Sequence, residues 1–217
     1  MNICLIPARS GSKRIKNKNI KMFHGKPIIA YAINNAKKSK LFDKIIVSTD
    51  SSKIAKLSKK YGAEIPFLRP KKLSNDKAVD KSVLAHFLKN FTIKPKFLCY
   101  LYPTTPLLKT KTLVNCYKEL KKKNYYQIFT ISRYYPNFQK SFEKKKNNEL
   151  KIYNHKSKKV LPIKFFDAGQ CYWYNFSKKK IIKKSLGYEV SKSESIDINT
   201  LKDLKLAKKI YAYKIKN

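Results

Sequence analysis

The sequence predicts an α/β fold: a single three-layer α/β/α domain built on a mainly parallel sheet. Three observations predict it. Short apolar runs of strand length alternate with segments whose apolar residues recur at helical spacing. The crossovers between them are roughly a dozen residues, the length that parallel connections need. A chain of 217 residues suffices for one full core and a small appendage.

Asn2 to Pro7, with Ile3 and Ile6, read as a buried first strand. Gly25-Lys26-Pro27 makes a turn with proline set to begin a helix, whose apolar face (Ile28, Ile29, Tyr31, Ala32, Ile33, Ala36) runs to about Ser39. Leu41 to Ser48 form a second strand ending in Thr49-Asp50. Asp50 or Ser51 would cap a helix from Ser52 to Lys60, stopped at Tyr61-Gly62. Ala63 to Leu68 read as a short third strand before Arg69-Pro70, and Ala78 to Asn90 as a helix with Val79, Val83, Leu84, Phe87 and Leu88 inward. Lys96 to Tyr102 is the most strand-like run and is expected to be central, with Pro103-Thr104-Thr105-Pro106 stopping it. A helix from Thr110 or Thr112 to about Lys122 leads to a strand over Tyr126 to Ser132. Arg133 to Phe166 shows no clean period and reads as an excursion carrying a short hairpin, not a second domain. Regularity returns with strands at Gln170 to Phe176 and, weakly, Tyr188 to Val190. The final helix runs from about Thr200 to Tyr213, with Leu201, Leu204, Ala207 and Ile210 on one face.

Composition narrows the function. The apolar runs are short and broken by Lys or Asn, so no membrane span is expected. Met1 leads straight into a strand without the regions of a signal peptide, which points to the cytoplasm. Cys4, Cys99, Cys116 and Cys171 are scattered with no CxxC pair, and His24, His86 and His155 add no ligand spacing, so reduced structural thiols are expected. The net charge of +38 invites a nucleic-acid reading, but only Arg9, Arg14, Arg69 and Arg133 are arginines, and the lysines are spread along the whole chain. Nucleic-acid readers concentrate charge and favour the bidentate guanidinium, so nucleic acid is not the expected partner. The charge serves instead to attract an anionic substrate.

The first strand ends in the densest chemistry of the chain, Ala8-Arg9-Ser10-Gly11-Ser12-Lys13-Arg14, with Lys16, Lys18 and Asn19 close behind. A Gly/Ser loop at the carboxyl end of a strand can turn its N–H groups toward a phosphate, and four nearby cations suit a polyphosphate. It is neither GxxxxGK[ST] nor GxGxxG, and a plain basic surface loop is the competing reading. Arg9, Asp50, Arg69 and Tyr102 each follow a predicted strand, so they share the rim where such sheets bind ligands.

IPARSGSKRIKNKN, GKPIIAYAI, FDKIIVSTD, YGAEIPFLRP and SIDINTLKDLKLA, in this order, resemble the CMP-sugar synthetases, the acylneuraminate cytidylyltransferases. YPTTPLL at Tyr102 to Leu108 and DAGQCYW at Asp167 to Trp173 resemble the branch that acts on pseudaminic acid. The resemblance spans nearly the whole chain. It implies a fold like that of the nucleotide-diphospho-sugar transferases and Mg²⁺-dependent transfer of CMP from CTP to the anomeric hydroxyl of an acidic nine-carbon sugar, with pyrophosphate leaving. Pseudaminic acid is the first expectation, and N-acetylneuraminic or legionaminic acid the alternatives. A non-catalytic basic protein that binds polyanions is the rival of another class.

By the same resemblance Arg9, Lys13 and Lys18 contact the triphosphate and act in catalysis, while Ala8, Ser10, Gly11 and Ser12 shape the loop. Asn19 and Arg69 read cytosine and ribose with help from the segment around Ala78. Tyr102, Arg133, Asp167, Gln170 and Trp173 are the candidates for the sugar pocket, although Trp173 by itself fits a core equally. The family's Asp-x-Asp before the last helix is here Asp197-Ile198-Asn199, so Asp197 and Asn199 are the candidate Mg²⁺ ligands. Asn199 could equally be the cap of that helix. The excursion at about 133–166 matches the family's dimerisation arm, so a homodimer is implied.

Overall fold

A computed structural model describes residues 1–76, 78–123, 125–134, 142–144, 150–152, 163–177 and 182–216. β1 (Asn2–Pro7) is followed by a basic loop and by two short antiparallel strands, β2 (Met22–Phe23) and β3 (Lys26–Pro27). Pro27 then stands at the N-cap of α1 (Ile28–Ser39), which ends at Lys40 in the left-handed conformation. β4 (Lys44–Ser48), α2 (Ser52–Lys60), α3 (Asp80–Asn90), β5 (Phe97–Leu101), α4 (Thr110–Lys123) and β6 (Tyr125–Tyr134) follow. After the hairpin of β7 (Phe142–Lys144) and β8 (Leu150–Ile152), the chain returns through β9 (Lys164–Asn175) and β10 (Ile182–Val190) to α5 (Leu201–Lys216).

The central sheet has six strands in the order β10-β6-β9-β5-β1-β4. All run parallel except β9, which pairs antiparallel with both β5 and β6. Strand alternation divides the core between its two faces. Cys4, Ile6, Cys99 and Leu101 face α1, α2 and α4, while Ile3, Leu5, Leu98 and Tyr100 face α3. Each fully buried Ile or Leu contributes about 1.5–3 kcal/mol, so this two-sided burial holds the three layers together. A third cluster, with Ile28, Ile198 and Leu204, fastens α5 to the start of α1.

Three local expectations are corrected. Ala63 to Leu68 form only an isolated bridge, Glu64 to Ile46, because Pro66 has no N–H to extend the ladder. α3 starts at Asp80, since Val79 is extended and the Ala78 N–H turns back to Asn75; Val79 is consequently exposed, not inward. Ser51 alone caps α2, accepting from the Ile54 N–H. The expected hairpin of the excursion is present as β7–β8. Of the rest of the anticipated arm, residues 133–134 and 163–166 are described, whereas Tyr135 and Phe138 lie outside the described residues.

Candidate active site

Because β1, β4 and β5 are parallel neighbours, the loops leaving them meet on one rim. They enclose a cleft of about 490 Å³, within the range of small-molecule sites. Arg9, Lys13, Arg14, Lys18 and Arg69 all line it.

The basic loop is held from both ends. The Ser10 N–H and hydroxyl donate to the two carboxylate oxygens of Asp50 at 2.9 and 2.6 Å. Asp50 therefore anchors the loop where it leaves β1 and does not cap α2. Ser10 turns to Asp50 and does not line the cleft, whereas Ser12 does. Ala8 is buried in the core, its N–H bonded to the Ser48 carbonyl. At Gly11 an added Cβ would meet only ordinary contact, 3.7 Å from the Ser74 carbonyl oxygen. Downstream, Asn19 Nδ2 donates to the Arg9 carbonyl at 2.9 Å, and Asn17 takes a left-handed φ of 56° that starts the 3₁₀ turn Lys18–Ile20. That turn directs Lys18 into the cleft.

Lys18 Nζ donates to Asn199 Oδ1 at 3.0 Å, and Asn199 Nδ2 donates to Asp197 Oδ2 at 2.6 Å. The other oxygen of Asp197 accepts from the Thr104 hydroxyl at 2.5 Å. An amide thus bridges the ammonium and the carboxylate. Burial lowers the Lys18 pKa from its ordinary value, with Asp197 opposing the shift, and burial raises that of Asp197 against the pull of Thr104, Lys18 and Asn199. Asn199 is not the helix cap. Thr200 is: its hydroxyl accepts from the Asp203 N–H, while Asp203 Oδ2 accepts from the Thr200 N–H at 2.7 Å, a reciprocal capping box.

Arg69 is 4% exposed, with Nε donating to Ser74 Oγ at 3.0 Å. Burial lowers its pKa, yet a guanidinium remains charged. Asn19 lines the same cleft, and its buried Oδ1 has no hydrogen-bond partner among the described residues. Ala78 contributes to the lining from the segment preceding α3.

Three polar features of the cleft were not anticipated. Asp76 pairs with Arg9 at 2.7 Å and Lys13 at 2.9 Å, which hold its carboxyl below the usual range. Asp80 accepts from Tyr100 at 2.7 Å and from Tyr102. Thr104 fixes Asp197, as above. One signal was available: only 13 Asp and Glu stand against 51 Lys and Arg, so each acid near the basic motifs carries information.

The sugar candidates divide. Tyr102 lines the cleft. Asp167 is exposed on β9, accepting from Tyr172 at 2.7 Å, and the Tyr172 ring is edge-on to that of Tyr102. Trp173 is fully buried and stacks on Phe42 at 5.0 Å; it faces the α1/α4 layer because it alternates with Tyr172 along β9. Gln170 is also fully buried, its Nε2 donating to the Glu194 carbonyl at 2.6 Å just after Gly169 breaks the extended run at φ 60°. Arg133, at the far end of β6, pairs with Glu189 at 3.1 Å and does not line the cleft. None of Trp173, Gln170, Arg133 and Asp167 lines the described cleft, whereas Tyr102 and Arg14, one of the four cations of the basic loop, do.

A family model described as cytidylyltransferase matches residues 3–211. The chain is 34% identical to the pseudaminic acid cytidylyltransferase of Campylobacter jejuni subsp. jejuni serotype O:23/36, over 97% of this chain and 96% of that one. It is 31% identical to the CMP-N,N'-diacetyllegionaminic acid synthase of Legionella pneumophila, over 96% and 95% of the two chains. Among solved structures, CMP:2-keto-3-deoxy-manno-octonic acid synthetase complexed with CTP superposes with a TM-score of 0.73 at 12% identity, covering 98% of this chain and 99% of that one. The 4-diphosphocytidyl-2C-methyl-D-erythritol synthase of Anaerococcus prevotii superposes with a TM-score of 0.62 at 13% identity, covering 97% and 98%. The fold is therefore that of the nucleotide-sugar synthetases.

Proposed function

The chain belongs to the cytidylyltransferase family, and on that premise we propose that it transfers CMP from CTP to the anomeric hydroxyl of a nonulosonic acid, with pseudaminic acid as the substrate. The observation that carries the reading is the convergence of Arg9, Lys13, Lys18 and Arg69 with Asp197 around one cleft.

The anomeric oxygen attacks the α-phosphorus in line; a P–O bond forms to the sugar and the bond to pyrophosphate breaks. The hydroxyl proton passes to solvent water, and the pyrophosphate leaves with the electron pair of the broken P–O bond. Arg9 and Lys13 hold the β- and γ-phosphates, exchanging Asp76 for phosphate oxygens. Lys18 meets the charge that grows at the α-phosphoryl group, where a fixed cation in a partly buried site is worth most. Arg69 and Asn19 hold the nucleoside. The partnerless Oδ1 of Asn19 fits the exocyclic amine of cytosine, a donor, and not the carbonyl of uracil, which favours CTP over UTP.

The donors suit Mg²⁺ in part. Each Asp197 oxygen accepts one hydrogen bond and keeps a lone pair, so Asp197 can hold the ion together with phosphate oxygens and water. Asn199 offers a neutral carbonyl oxygen, now engaged by Lys18. When bound, Mg²⁺ supplies charge neutralisation at the phosphates.

The arm between β6 and β9 serves dimerisation in this reading. Tyr134, Phe165 and Phe166, 54%, 42% and 42% exposed, put aromatic surface at the ends of β6 and β9 that flank the arm, which supports this use.

The test is pyrophosphate release from CTP and Mg²⁺, with pseudaminic, N-acetylneuraminic and legionaminic acids offered in parallel. Release with pseudaminic acid is expected. Release only with another of the three reassigns the sugar, and release with none overturns the reading.

A further inference from the structure

The wall of the cleft made by the start of α3 and the end of β5 is built of hydrogen-bond acceptors. Asp80 takes the phenolic hydrogens of Tyr100, at 2.7 Å, and of Tyr102. Behind Tyr102, with ring centroids 5.8 Å apart, Tyr172 gives its own hydrogen to Asp167. A phenol has one proton, and each of these three is already committed to a carboxylate. What Tyr102 and Asp80 still present is lone pairs. Burial, the bond to Asp80 and the surrounding carboxylates push the Tyr102 phenol well above its ordinary range, so it stays neutral. The loop that brings Arg9, Lys13 and Lys18 into the same cleft is rich in donors by contrast. The cleft therefore carries the cations of the loop after β1 on one part of its lining and these acceptors, with Arg69 beside them, on another.

We propose that Asp80 is a specificity-determining positioning residue for the acceptor sugar: by holding the Tyr102 proton it offers paired acceptors to the O–H and N–H groups of that sugar and turns the sugar's carboxylate toward the cations. The assignment rests on the reading of the site as a CMP-sugar synthetase. A carboxylate in the first turn of a helix also stabilises the helix, so a purely structural role must be separated from this one.

Asp80→Asn is the separating change. It keeps the shape and removes the charge, and it replaces one acceptor with an NH₂ donor. That donor must go to a phenolic oxygen, which forces the phenol's own hydrogen toward the cleft. The expected result is a KM for pseudaminic acid raised about ten-fold or more, the scale of one mispaired hydrogen bond. The KM for CTP and the melting temperature stay close to wild type. Tyr102→Phe gives a similar rise in sugar KM, and the double variant adds little to either, because the two act as one unit. An unchanged sugar KM in Asp80→Asn overturns the proposal, as does a parallel rise in both KM values with a lowered melting temperature. Should Asp80→Asn not fold, Tyr102→Phe decides: an unchanged sugar KM there overturns it equally. A wild-type protein that releases pyrophosphate with none of the sugars overturns the proposed function itself, and the Asp80 assignment falls with it.

Discussion

Lys18, Asn199 and Asp197 form a line in which an amide separates a cation from an anion, and its chemistry depends on two protons. Lys18 acts when protonated, and burial lowers its pKa, so the alkaline limb of kcat/KM should fall below the ordinary lysine value of 10.5. Asp197 acts when ionised, and burial raises its pKa, so the acid limb should lie above 3.8. The profile is thus narrower than free side chains would give. Lys18→Ala should lower kcat by about 10²–10³ with the circular dichroism spectrum unchanged. Lys18→Arg should remove the alkaline limb, since guanidinium does not titrate there; a limb that stays assigns it to another group. Asn199→Asp would set two carboxylates against each other where a 2.6 Å hydrogen bond now stands. It should lower the melting temperature without Mg²⁺ and enlarge the rise on adding Mg²⁺. An identical Mg²⁺ thermal titration for both forms would remove residue 199 from the metal site.

At the level of elements, the site depends on how neighbouring segments end. The capping box of Thr200 and Asp203 starts α5 one residue beyond Asn199 and so leaves the Asn199 side chain free for Lys18 and Asp197. Thr200→Ala should cost about 1 kcal/mol, read as a melting temperature roughly 2–4 °C lower. A loss no greater than that of Ser193→Ala, a nearby serine outside the box, would mean that the box does not hold α5. The loop after β4 plays the matching part for the basic loop through Asp50. The sequence placed α2 correctly from its capping residues, yet it left Asp50 and Ser51 interchangeable. Only the position of Ser10 across the rim decides between them, because a carboxylate satisfies whichever N–H groups tertiary packing brings near.

For the whole molecule, the charge of +38 is distributed, while the cleft gathers cations and acids together. The proposed dimer gives the largest-scale prediction. Light scattering should report twice the 25.4 kDa of one chain at micromolar concentration. A mass of one chain under those conditions removes the arm from dimerisation.

Alternation and helical spacing determined the α/β class and nearly all the elements, because burial of one face imposes a period on any strand or helix. The rim argument likewise placed Arg9, Arg69 and Tyr102 at one site, since the carboxyl ends of parallel strands share a rim, and the family resemblance added Lys18, Asn19 and Asp197. What the tertiary structure decided was partnership between distant segments. Trp173 is core and Tyr172 faces the cleft's layer by the register of β9 between β5 and β6. Arg133 is engaged by Glu189 on β10, and Asp80 meets Tyr100 and Tyr102 only because α3 packs on β5. A side chain's spacing along its own strand or helix is written locally, but the donor or acceptor that meets it comes from another segment, and no local pattern records which one arrives.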